Sequence, residues 1–282
     1  MKHILLSLGS AALAAALLCS CGPFQVAEKV VDQADLVQIA EGLATHAENS
    51  ANVSEARRAG LVQKTYTAES EVDKIKIDEK DASLRIETGN VDRVQVSYME
   101  PKYSQNYRIS EGDSTLRIQS NRTEIDADLT YTTVITLPEK EYASIEIEAD
   151  DSTVAVLDVA ADSVRMWRSS NAMVQFSGLT SDQIKATVNN GMVTVSDTTA
   201  ARLDVSLDNG IIALEDTQVD QYECQVENGS IEGTLIGQAG EYNIRTSVDV
   251  GRNLLPSSAR KWGDKKLQFH VGNGEINVKF AG

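Results

Sequence analysis

From about Val72 onward, apolar and polar positions alternate with a period of two, the pattern of strands that bury one face. Ile75 and Ile77, then Ala82, Leu84 and Ile86, keep one phase, and Val91, Val94 and Val96 follow a turn at Thr88-Gly89-Asn90. Further strands are predicted over 103–109, 116–119 and 131–137, the last stopped by Pro138, with a polar loop over 120–128. Ahead of this region the period changes. Val26, Val30, Ala34, Val37 and Leu43 fall near one helical stripe, with Glu28, Lys29, Asp32 and Glu41 turned away, and 55–63 offers a second short helix. Residues 22–66 therefore read as a helical spacer, or as a cap on the end of the strand-rich region.

The alternation becomes a repeat after Ser144. Ile184 to Gly233 reads as three lines of one strand, an Asn-Gly pair and a second strand, with Gly191, Gly210 and Gly229 each 19 residues apart. The leading apolar positions are Ile145, Val164, Ile184, Leu203, Tyr222, Tyr242 and Leu267, and two residues on come Ile147, Met166, Ala186, Val205, Cys224, Ile244 and Phe269. The second strands offer Val154, Val174, Val193, Ile212, Ile231 and Ile276. A short unit at a fixed step cannot bury its own apolar face; stacked neighbours can. The predicted fold is all-β: a parallel β-solenoid of ~19-residue coils over 67–282, with an insertion at 251–266. The opposite phase (Glu146, Glu148, Lys185, Asp204, Glu223, Arg245) is polar, unlike the lipid-facing wall of a membrane barrel.

Asn190-Gly191, Asn209-Gly210, Asn228-Gly229 and Asn273-Gly274 mark the turns, where Asn-Gly accepts positive φ; Asn171-Ala172 holds the same place without glycine. Two-residue Asn-Gly turns also fit antiparallel hairpins, so a β-sandwich of meanders is the competing architecture.

The first residues alter the picture of location. Lys2 and His3 precede an apolar run, Ile4 to Leu18, too short for a stable membrane span and suited to a signal peptide over 1–21. Leu18-Cys19-Ser20-Cys21 resembles the lipobox of bacterial lipoproteins, and that resemblance implies cleavage before Cys21 and lipid attachment to its thiol; an ordinary signal peptide is the alternative. Several acyl chains anchor firmly. The expected localisation is extracytoplasmic, tethered to a bacterial membrane. With Cys19 removed and Cys21 lipidated, Cys224 has no internal partner. The net charge of −16 argues against nucleic acid as a partner.

Strand, Asn-Gly, strand coils preceded by a strand ending Leu137-Pro138 resemble the DUF4097 "putative adhesin" family over roughly 72–282. The resemblance implies a β-strand-repeat fold and, through the family's name only, an adhesin-like role.

Candidate binding residues fall in two places. The insertion carries Arg252, Arg260, Lys261, Lys265 and Lys266 around Trp262, and is read either as a contact for an anionic surface or as a loop folded over the last coil. Trp167 sits in the outward phase, either as a contact for a sugar or partner or covered by a neighbouring loop. Asp208 with Glu227, and Asp204 with Glu223, fall in outward columns on adjacent coils, as chance pairs do in a chain of 42 acids; no metal and no cofactor is expected. Cys224 reads as a buried small hydrophobe, and His46 and His270 as solvated. No G-x-S-x-G, HExxH or phosphate loop occurs, so no catalysis is expected. Two functional expectations result. One is a lipid-anchored surface-binding module for an unknown ligand; the other is an envelope scaffold or stress-sensing accessory that contacts another membrane protein.

Overall fold

A computed structural model describes residues 60–103, 105–121, 131–255, 257 and 263–281, all within one unit, Asn49–Gly282. Cys21 and the helical stripe of 22–47 lie outside the described residues. Of the second predicted helix, the described part is a strand: β1 (Leu61–Thr67) lies antiparallel to β4 (Gln95–Pro101). Val62-Gln63-Lys64-Thr65-Tyr66 alternates in burial along that strand, a period of two that outweighs local helix preference.

Alternating residues make strands throughout, and fifteen of them join one nearly closed, barrel-like sheet of mixed orientation. Two faces build it. One runs through β2 (Lys74–Lys80), β9 (Ser144–Asp150) and the first half of β11 (Ala160–Ser177). The other runs through β3 (Ala82–Thr88), β10 (Ser152–Leu157) and the second half of β11. From there β12 (Thr180–Ser196) and β13 (Thr199–Ile236) continue both faces in parallel. The step of 19 appears directly in the register, with Ile184 opposite Leu203 and Val193 opposite Ile212.

The predicted uniform stacking in chain order does not hold at either end. At the start, β5 (Tyr107–Gly112) and β6 (Thr115–Ser120) form an antiparallel hairpin. Asp113 and Ser114 both have positive φ, 52° and 54°, which suits a tight two-residue turn. Tyr103, read as the start of a strand, is instead an exposed turn residue, because β4 runs only to Pro101. β7 (Tyr131–Leu137) pairs with β3 in parallel and with β4 antiparallel. The β2–β3 coil thus lies between β6–β7 on one side and β9–β10 on the other. β8 (Glu141–Tyr142) adds a short bridge to β11.

At the other end, β15 (Lys265–Ala281) stands between β13 and β14 (Tyr242–Asn253), although β14 comes first in the chain. Leu267 therefore lies opposite Tyr222 and Ile244, not Tyr242. The reason is in the turn residues. Asn190, Asn209, Asn228 and Asn273 each donate Nδ2–H to the Oδ1 of the Asn one coil before, at 2.8–3.2 Å, down to Asn171. Asn171 in turn donates to Asp151. β15 carries an Asn to extend that ladder; β14 offers Val250 at the position and ends it.

The Asn-Gly pairs are corners between successive coils and not hairpin turns, since the strands flanking each one pair with the next coil. Gly191, Gly210, Gly229, Gly274 and Gly251 stack at φ of 139–147°, each backbone pressed on the carbonyl of its neighbour. Ala172 fits because its own φ is not positive; the preceding coil turns at Asp151 instead, at φ 47°. A second corner ladder, not foreseen, holds Asp158, Gly178, Asp197 and Asp216, all at positive φ of 48–67°. Asp is among the few side chains that enter that region readily.

The inward columns are buried as read from the sequence: Ile145, Val164, Ile184, Leu203, Tyr222 and Leu267, and beside them Ile147, Met166, Ala186, Val205, Cys224 and Phe269. Full burial of such side chains is worth roughly 1.5–3 kcal/mol each. Aromatic rings gather near β14, with Tyr242 against Tyr222 at 6.0 Å and against Phe280 at 5.5 Å. Leu255 joins this core from the connection after β14. There Ser257 Oγ both accepts from Thr246 N–H and donates to Thr246 C=O, occupying outward hydrogen-bonding groups of an edge strand.

Candidate functional site

Trp167 owes its position to strand pairing that brings three coils side by side. Asp78 of β2 lies opposite Glu148 of β9, and Glu148 lies opposite Trp167 of β11, so the three form one outward row on adjacent strands ~4.8 Å apart. The next row begins with Lys80 opposite Asp150. Trp167 is half-buried, neither fully exposed nor covered.

The row is interrupted immediately beyond the tryptophan. Met166 pairs with Ala186 and Ser169 with Val188, so two residues of β11 stand against one of β12. This β-bulge explains why Val164 and Ile184 are 20 residues apart where the neighbouring steps are 19. It opens a cleft of about 430 Å³ lined by Asp78, Glu79, Lys80, Glu148, Asp150, Ser169, Ser170 and Asn189. Asp150 Oδ1 accepts from the Ser170 backbone N–H at 2.9 Å. That serine and the backbone N–H, working against burial, and the charge of Lys80 hold the Asp150 carboxyl below its usual range. Ser169 is only 1% exposed, and its Oγ has no hydrogen-bond partner among the described residues. Glu79, 1% exposed, accepts from Tyr107 Oη at 3.0 Å and Thr133 Oγ1 at 2.8 Å.

The basic insertion is distributed differently from the expectation. Gly251–Asn253 belong to β14, and Lys265 and Lys266 to β15, so only 254–264 lies between strands. Arg252 pairs with Glu275 at 2.7 Å. Lys265 lies 3.4 Å from both Asp220 and Glu241 and 5.5 Å from the Tyr242 ring centroid. Lys266 is exposed in register with Gln221. Two of the five cations are thus met by carboxylates of this same chain. Arg260, Lys261 and Trp262 lie outside the described residues.

Of the acidic pairs, Asp204 and Glu223 are bridged by Arg202, 2.6 Å from Glu223, and Asp204 also holds Lys185 at 2.9 Å. Glu227 accepts from Gln225. Among the described residues no three His, Cys, Asp or Glu side chains converge as a metal would require. Cys224 is buried, and burial pushes its thiol pKa up, against thiolate formation. His270, read as solvated, is half-buried and meets Ser247 Oγ through Nδ1 at 2.9 Å, with Asp249 3.9 Å away; β14 supplies both. His46 lies outside the described residues.

A family model described as Toastrack DUF4097 matches residues 72–280. No curated protein matches. Among solved structures, a "putative adhesin" from Bacteroides fragilis is 13% identical with a TM-score of 0.46, the match covering 78% of this chain and 97% of that one. A "putative adhesin" from Parabacteroides distasonis is 17% identical with a TM-score of 0.47, over 78% and 97% of the two chains. A "putative lipid binding protein" from the same species is 15% identical with a TM-score of 0.33, over 77% and 96%.

Proposed function

This chain belongs to the DUF4097 family, and on that premise we propose that it is a non-catalytic binding module held to the outside of a bacterial membrane by lipid on Cys21. The observation that carries the reading is the outward surface: side chains set in rows by parallel pairing, with Trp167 beside Glu148, in one row with Asp78, at the bulge. A rigid ladder with an irregularity that presents an aromatic is suited to recognition. The basic insertion contributes less on this reading, because Arg252 and Lys265 are already paired. We also read the run from β9 to β15 as a parallel β-solenoid, supported by the step of 19 in the register and by the asparagine ladder.

The test uses the full chain expressed in a bacterium with a native envelope. The wild type is expected in the membrane fraction and open to protease on intact cells, with Cys21→Ala released as soluble protein. Cross-linking on intact cells then separates the roles. Capture of a glycan or host-surface ligand supports the binding module; a membrane-embedded partner favours an envelope scaffold. Cytosolic recovery of the wild type would remove the proposal's premise about location.

A further inference from the structure

We propose that the cleft at the β11 bulge is a carbohydrate-binding site, with Trp167 as its stacking surface. The inference deepens the binding-module reading and rests on it. The lining decides the ligand class. Asp78, Glu79, Glu148 and Asp150 bring acceptors, while Lys80, Ser170 and Asn189 bring donors, so both kinds line one opening. Sugar hydroxyls donate and accept at once and so use both kinds of group, whereas an ammonium group only donates and leaves the donors of Lys80, Ser170 and Asn189 unused. A ring that exposes C–H groups packs on an indole, and Trp167 stands in the same outward row as Asp78 and Glu148, two residues of the cleft's lining.

A second, independent observation marks the cleft as built for a ligand. Ser169 lies in the wall, almost wholly buried, with its hydroxyl oxygen unpartnered among the described residues. Buried hydroxyls are ordinarily satisfied. The cleft's volume of about 430 Å³ accommodates one or two sugar rings. Its position comes from the extra residue in β11, an interruption confined to this place in the pairing of β11 with β12.

The experiment uses the full chain and a panel of neutral hexoses, with glucosamine and lysine amide as amine probes, read by saturation-transfer NMR. The chain has two tryptophans, so in Trp262→Phe the fluorescence reports Trp167 alone. At least one neutral hexose is expected to bind and to shift that fluorescence. Trp167→Ala and Asp78→Asn, with thermal midpoints unchanged, should each weaken binding at least about tenfold. Binding confined to the amine probes overturns the proposal in favour of simple charge attraction. Equal sugar binding by wild type and both variants also overturns it. If no sugar binds but intact cells still capture the chain, the cleft proposal fails and the binding module stands; if cells capture nothing either, both fail.

Discussion

Replacing Gly210 with alanine tests the corner ladder most directly. A Cβ at Gly210 would lie 1.8 Å from the carbonyl oxygen of Gly191, where ordinary contact begins near 3.4 Å. The neighbouring coils would have to part locally by roughly an ångström and a half across a spacing of ~4.8 Å. Gly210 also has φ of 140°, which costs an L side chain about 1–3 kcal/mol by itself. Loss of one or two ladder hydrogen bonds adds about 1 kcal/mol each. The expected destabilisation is about 4 kcal/mol, a fall in midpoint of roughly 8–16 °C for a chain of this size. Gly240→Ala is the control: it meets open space and has no positive φ, so its change should stay within about 0.5 kcal/mol. Urea and thermal unfolding of both variants, followed by circular dichroism, give the comparison. A Gly210→Ala chain within about 1 kcal/mol of wild type would refute the claim that stacked backbones leave no room for a methyl group.

Two acid groups give predictions of opposite sign. Glu232 has a buried Oε1 without a partner among the described residues, and burial, then Glu275 and Glu215, raise its pKa. A raised carboxyl favours the folded state only while protonated, a contribution lost as pH rises through the folded value. Glu232→Gln should therefore stabilise by about 1 kcal/mol at pH 7 and give no gain at pH 4, by urea midpoints; equal effects at both would refute the assignment. Glu111 is the reverse. Burial pushes its carboxyl up, but Ser70, Tyr66 and the backbone N–H groups of Glu69 and Ser70 outweigh it and hold the value at about 2. Its stabilisation is present above the ordinary value near 4.5 and is lost as pH falls toward 2. Tyr66→Phe removes one of the bonds that lower the folded value, so its acid loss should start at the same pH as in wild type but be smaller and level off at a higher pH, and coincident curves would count against the network.

The buried columns were legible because a period of two leaves little freedom about which side chains face inward. Ile145 to Leu267 needed no knowledge of pairing partners. Strand order did need it. Tyr242 and Leu267 both look like leading apolar positions, and nothing in their alternation says which coil adjoins β13. The difference lies at the corner, where Asn273 accommodates Asn228 and Val250 does not. The second corner left a signal, Asp158, Asp197 and Asp216 with Gly178 between, but aspartate is common enough in an acidic chain to pass as surface. At the site, the outward phase of Trp167 was readable. Its neighbours Asp78 and Glu148 are 89 and 19 residues earlier in the chain and meet it only through the pairing of β2, β9 and β11. The pairing of Arg252 with Glu275 and of Lys265 with Asp220 was hidden for the same reason, being set across strands.

The seat of β15 inside the stack has a bearing on how the chain is made. A polypeptide emerging from a ribosome or a translocon delivers β14 first, yet the only strand β14 pairs with among the described residues is β15. Until Lys265 and the residues after it have emerged, β14 lacks the strand it pairs with in the folded chain. Assembly that advances coil by coil from β9 must pause at β13 and then admit a later segment ahead of an earlier one. A stop codon just before Lys265 consequently removes β15 and with it the pairing partner of β14, so one truncation disturbs the packing of both Tyr222 and Tyr242.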